Sequence, residues 1–134
     1  MKIIRPAKKV IFDIFNPMCI KWIFQLRVGL SPLKSHKKRH NFVDTPSDTC
    51  ACTLNAETTQ HFLLECPSYN DHRQELFESI DPILFLNDMD NISVNIKVHL
   101  LLYGHDKLNF HENRIVLKST IKYINKTGRF SQMT

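Results

Sequence analysis

Three cysteines and a histidine near the middle of the chain offer its most distinctive chemistry: Cys50, Cys52, His61 and Cys66, in the spacing C-x-C-x8-H-x4-C. Thiolates and imidazole are what a structural zinc ion takes as ligands, four at a time in a tetrahedron. The single-residue gap between the first two cysteines is tighter than the usual two to four, so the pattern is less specific than a paired CxxC. Two other states suit the same residues. They can be plain buried thiols beside a surface histidine, or part of a disulfide, which an intracellular setting disfavours. Cys50 and Cys52 are in any case too close for an unstrained mutual bridge.

Helical geometry constrains the second pair. At about 100° per residue, positions five apart lie well off a common helix face, so His61 and Cys66 can share an ion only if the helix ends between them. Pro67 supplies that ending, because it disfavours helical backbone at the residue before it. A site with four protein ligands leaves no open position for water, so its metal would be structural. Such zinc contributes roughly 10–16 kcal/mol to the folding of finger-like peptides.

No catalytic constellation accompanies these residues. The chain has no Gly-rich phosphate loop, no G-x-S-x-G elbow and no H-E-x-x-H helix, and it is read as not being an enzyme by itself. His36, His40 and His72 are read as packing or capping groups, although His36 and His40, spaced i,i+4, could also complete a second metal site; Cys19 is read as a core thiol.

Turn and capping signals set out the elements that must position the four ligands. Asn16-Pro17 opens a first helix that carries Trp22, Ile23 and Leu26 and ends near Gly29. Ser31-Pro32 opens a second, short and basic helix, with Leu33, His36, Lys37 and His40 on one side and Lys34, Lys38 and Arg39 outward. Residues 41–55 form the loop that holds Cys50 and Cys52. Glu57 to Glu65 reads as helix. A further helix from Ser68 or Asn70 has Tyr69, His72, Arg73, Leu76, Phe77 and Ile80 inward and closes at Asp81-Pro82. Ile83 to Asn91 is an irregular connection tucking Leu84, Phe85 and Leu86 into the core. Ser93 to Tyr103 is a mostly buried helix stopped by Gly104. Asn109 and Glu112 cap a last helix, striped by Phe110, Leu117, Ile121 and Ile124 and ended by Gly128. The predicted fold is all-α, a small helical domain around one zinc-binding loop. Residues 1–15 are an arm or a remnant of a preceding domain, 16–130 the domain, and 131–134 a tail.

Composition fits this reading: the 134 residues, 43% hydrophobic and 23% charged, are those of an ordinary globular domain. No apolar run approaches the ~20 residues of a membrane span, and no signal peptide is recognisable, so an intracellular protein is expected. Charge is unevenly spread. Residues 1–40 hold ten Lys/Arg against Asp13 alone, a net +9, while residues 41–134 hold eight against twelve acids, a net −4. A one-sided basic segment suits a polyanion, because each cation that neutralises a phosphate releases counterions; it also suits a solvated helix face that aids solubility.

Three stretches together resemble a known family. LRVGLSPLKSHKKRHNFVDTPSDTCAC (26–52), ETTQHFLLECPSYNDHR (57–73) and LLYGHDKLNFHENRIVLKSTIKYINKTGRF (101–130) are similar to the C-terminal end of jockey-like non-LTR (LINE-type) retrotransposon reverse transcriptases. The resemblance covers roughly residues 10–130. It implies a zinc-knuckle-like module with Cys50, Cys52, His61 and Cys66 as ligands of one Zn²⁺, holding RNA or DNA with little sequence preference. Arg27, Lys34, Lys37, Lys38 and Arg39 would contact phosphate, and Phe42 and Tyr69 are candidates for base stacking. The family's polymerase cannot be carried over, because no Asp-Asp pair occurs in the chain. Two alternatives stay open. One is a protein-interaction domain that packs on a polymerase in trans, for which an exposed apolar face including Trp22 or Phe24 is expected. The other is a non-functional relic.

Overall fold

A computed structural model describes residues 17–40 and 47–130, with side chains from residue 20 onward. The arm at 1–15, the Asn16 cap, the Cys19 side chain, Phe42 and the tail at 131–134 lie outside the described residues. Within them the chain is mostly helical: α1 (Pro17–Val28), α2 (Lys34–Arg39), a π-helical turn (His61–Glu65), a 3₁₀ turn (Pro67–Tyr69), α3 (Asn70–Leu86), α4 (Val94–Tyr103) and α5 (Phe110–Thr127). No strand occurs among the described residues, only an isolated antiparallel bridge between Thr49 and Ala56. None of their helices is long and apolar enough to cross a membrane.

The helix ends follow local chemistry. Gly29 ends α1 at a φ of +74°. Its amide donates to Leu26 and that of Leu30 to Gln25, the paired bonds of a Schellman stop. The Ser93 hydroxyl caps α4 at the Ile96 amide. Asn109 and Glu112 exchange side-chain-to-backbone bonds of 2.8 and 3.0 Å at the start of α5, the capping box expected there.

α5 is the central element, packed by α1, α3 and α4. Val116, Leu117, Ile121 and Ile124 of α5 meet Trp22, Ile23 and Leu26 of α1, Leu76, Ile80, Ile83 and Leu84 of α3, and Leu100 to Leu102 of α4 in one core. Each such side chain taken from water is worth about 1.5–3 kcal/mol.

Several boundaries differ from the sequence reading. α3 does not close at Asp81-Pro82 but runs on to Leu86 with Pro82 inside it. An interior proline costs a helix about 3 kcal/mol. Buried Ile80, Ile83 and Leu84 on both sides of it outweigh that cost, and the ring itself faces solvent. Phe85 and Leu86, expected inside, are 69% and 77% exposed, because the continued helix turns them away from the face that holds Ile83 and Leu84. Phe110 is likewise exposed. α4 is buried only at Leu100 to Leu102, while its first turn and His99 are open to solvent. The α2 helix starts at Lys34, two residues later than Ser31-Pro32 suggested.

Candidate metal centre

The first half of the centre is a tight turn. The Thr49–Ala56 bridge closes it, and within it the Cys50 amide donates to the Asn55 carbonyl and the Thr53 amide to the Cys50 carbonyl, both at 2.8 Å. Thr53 sits at a φ of +68°, a left-handed conformation that β-branched residues rarely adopt. The turn thereby brings Cys50 and Cys52 round to one side.

The second half is the π-helical turn. The Cys66 amide donates to the His61 carbonyl at 2.8 Å, five residues back rather than four, which widens the turn. Cys66 then leaves helical backbone at a ψ of 122° before Pro67. Widening and termination together solve the five-residue spacing problem. The helix read over Glu57 to Glu65 is therefore shorter and wider than expected, with Glu57 and Thr58 still in the loop.

The four side chains converge. One sulfur or ring nitrogen from each of Cys50, Cys52, His61 and Cys66 lies within 4.8 Å of the others, a group that can hold a metal ion. Cys50 Sγ is 3.8 Å from Cys66 Sγ, and Cys52 Sγ is 3.3 Å from His61 Nε2. The three cysteines are free thiols, so the disulfide alternative is not what this geometry holds. Cys50, His61 and Cys66 are buried and Cys52 is partly open.

Electrostatics divides the thiols. Burial pushes Cys50 up to about 11, against a backbone hydrogen bond from Cys52. The backbone hydrogen bond of Leu54 draws Cys52 down to about 7, helped by His61 and the neighbouring thiols. His61 Nδ1 is buried without a hydrogen bond, and the nearest acid is Glu65, with Oε1 at 3.7 Å.

A set of partly buried polar contacts, not anticipated from the sequence, holds this centre against the helices. The Glu57 carboxylate receives two 2.7 Å contacts from Arg129 Nε and Nη2, and its Oε1 also accepts from the Lys34 amide at 2.8 Å. A residue of the metal loop thus caps α2 and grips the chain's Gly128-Arg129 turn. Arg73 of α3 donates to the carbonyls of Leu63 and Cys66 at 3.1 and 2.8 Å, and Tyr123 of α5 donates to that of Phe62 at 2.5 Å. These bonds satisfy carbonyls that the short helical turns leave free. Such partners lie from 7 to 72 residues apart, where periodicity carries no information.

The remaining histidines are elsewhere. His36 accepts at Nδ1 from the Ser31 amide (3.2 Å) and lies 3.2 Å from the Thr59 hydroxyl through Nε2. Burial, then the charges of Arg39 and His40, lower its pKa, so it is a neutral strut between α2 and the loop. His40 is exposed, and neither it nor His72 belongs to the cluster.

Of the five cations expected on phosphate, Lys34, Lys37, Lys38 and Arg39 are on α2, with Lys38 and Arg39 exposed and Lys34 and Lys37 half-buried. Arg27 is folded inward: its guanidinium lies over the rings of Phe24 and Tyr103, and its Nε donates to the Leu102 carbonyl at 2.6 Å. Tyr69 packs edge-on against Phe62 and Tyr123 at the margin of the core, half-buried. The class defined by fold and site is a small helical domain organised around a Cys₃His cluster able to hold a metal. Comparison with protein-family models, curated proteins and solved structures gave no match to this chain.

Proposed function

We propose that the chain is a zinc-stabilised, nucleic-acid-binding module, equivalent to the C-terminal end of a non-LTR retrotransposon reverse transcriptase and acting without a catalytic step of its own. The observation that carries this reading is the convergence of Cys50, Cys52, His61 and Cys66. In a zinc tetrahedron with Zn–S near 2.3 Å and Zn–N near 2.05 Å, sulfurs stand about 3.8 Å apart and sulfur and nitrogen about 3.6 Å. Two of the distances here are 3.8 Å and 3.3 Å and all lie within 4.8 Å, so the ligands would draw together by up to about 1 Å around an ion. Zinc-bound histidines usually direct their second nitrogen to a carboxylate, and Glu65 stands on that side of His61.

The basic helix supports the nucleic-acid part. α2 is tied to the metal loop through Glu57 and Thr59, so Lys34, Lys37, Lys38 and Arg39 form a cationic face beside the metal centre. Contacts of this type give sequence-independent binding that weakens as salt rises.

A second reading, a protein-interaction domain, has one observation behind it: the exposed Phe85 and Leu86 at the end of α3. Of the two residues expected on such a face, Trp22 is buried at 7% exposure and Phe24 is half-buried.

The experiment is zinc content of the purified chain, with Cys52→Ser and His61→Ala as comparisons, followed by titration of single-stranded RNA at two salt concentrations. One zinc per chain, lost in both variants, with RNA affinity that falls steeply with salt and with Lys37→Glu/Lys38→Glu/Arg39→Glu, is the expected result. A metal-free chain that stays folded overturns the zinc assignment. Bound zinc without RNA binding favours the interaction domain.

A further inference from the structure

Away from the metal centre, planar groups contact one another in series between α1 and α4. The Arg27 guanidinium lies 5.0 Å from the Phe24 ring centroid and 4.6 Å from that of Tyr103. His99 stacks on Tyr103 at 4.4 Å with the two rings 17° from parallel. His99 is exposed, so the series ends in an aromatic ring open to solvent.

That ring lines a groove of about 470 Å³, together with Asn95, Ile96, Tyr103, His105 and Asp106. The floor is held in place. Asn113, buried under Gly104, accepts from the His105 amide at 2.9 Å and donates to the carbonyls of His105 and Leu108. The His105 ring is oriented too: Nδ1 accepts from the Lys107 amide at 3.0 Å, so in the neutral ring the proton sits on Nε2 as a donor.

We propose that this groove binds one base of a single-stranded nucleic acid, stacked against His99, with the Asn95 amide and the His105 ring available to its edge. The inference rests on the nucleic-acid reading above and adds a site to it. Stacking on aromatic side chains is how single strands are held without sequence preference. Asp106 in the lining repels phosphate, so the groove takes the base and leaves the backbone outside. A series of contacts leads from the groove toward the cations of α2. Two residues beyond Arg27, the Arg39 guanidinium lies so close over Gly29 that a Cβ there would be 2.9 Å from its Nη1. The end of α1 thus joins the stacked groups to the basic face of α2.

The test uses the full chain and fluorescence anisotropy with a short oligouridine RNA, the matching oligothymidine DNA, and an abasic strand of equal length and charge. The base-bearing strands are expected to bind about tenfold more tightly than the abasic one. His99→Ala removes that difference, His99→Phe keeps it, and the α2 triple substitution weakens all strands alike. A base-dependent difference that survives His99→Ala overturns the groove as the base site while leaving the nucleic-acid reading intact. Failure of the wild-type chain to bind any strand overturns both. Circular dichroism on each variant checks that the helices are retained.

Discussion

Glu57 and Arg129 face each other with two contacts of 2.7 Å, although 72 residues separate them in the chain. Glu57 is almost wholly buried, at 3% exposure, and burial alone pushes its carboxyl up. The Arg129 hydrogen bonds, the Lys34 amide and the nearby positive charge outweigh burial and hold it below the ordinary carboxylate range. Its folded pKa is thus depressed. The stability this contributes is fully present above the unfolded value near 4.3 and is lost as pH falls through the folded value. Arg129→Ala, which strands the carboxylate, is expected to cost about 2–3 kcal/mol, less than a fully buried pair because Arg129 is partly open. Urea denaturation at pH 7 and pH 3 checks both statements: the variant's deficit shrinks at the lower pH. An equal deficit at both would remove the charge-based explanation.

Glu65 tests the outer environment of the proposed zinc site. Its carboxylate is 3.7 Å from His61 Nδ1, on the side of the ring away from the sulfurs. Glu65→Ala is expected to weaken zinc affinity about tenfold without changing the number of ions bound. Competition with a chromogenic chelator measures this. Unchanged affinity would mean that the contact does not tune the ligand.

Gly104 allows a substitution with two separate costs. Its φ is +77°, and an added Cβ would stand 2.5 Å from Asn113 Oδ1. Asn113 is buried and holds the 105–108 loop through three hydrogen bonds, so it cannot move aside without losing them. Gly104→Ala is expected to destabilise the domain by about 2–4 kcal/mol, from left-handed strain together with a displaced buried amide. A thermal melt gives the result, and a change under 1 kcal/mol would show that the loop yields.

What was legible in the sequence was chemistry of a distinctive kind. Cys50, Cys52, His61 and Cys66 were singled out by residue type and spacing alone, and the fold gathers them. The capping box at Asn109 and Glu112 and the stops at Gly29, Gly104 and Gly128 were legible because each depends on residues a few positions apart. The π-helical turn was not, since one extra residue per turn leaves no mark on the pattern. Pro82 misled for a physical reason: its local cost is real, but the burial of Ile80, Ile83 and Leu84 is decided by α5, which begins only at Phe110. The inward fold of Arg27 was hidden as well, because charge does not reveal that Phe24 and Tyr103 provide rings for it.

Phe130 packs nearly parallel on Phe62 at 5.5 Å and edge-on to Trp22 at 6.5 Å, beside the Arg129 that grips Glu57. This bears on the order of assembly during synthesis. The four metal ligands span only residues 50 to 66 and emerge from a ribosome together, so they can gather an ion on local contacts while most of the core is still to be made. The contacts of Arg129 and Phe130 require closing a loop of some seventy residues, which is slow for a chain of this size. A chain stalled before them would carry the gathered Cys₃His group on an open helical scaffold, with Phe62 lacking its aromatic lid.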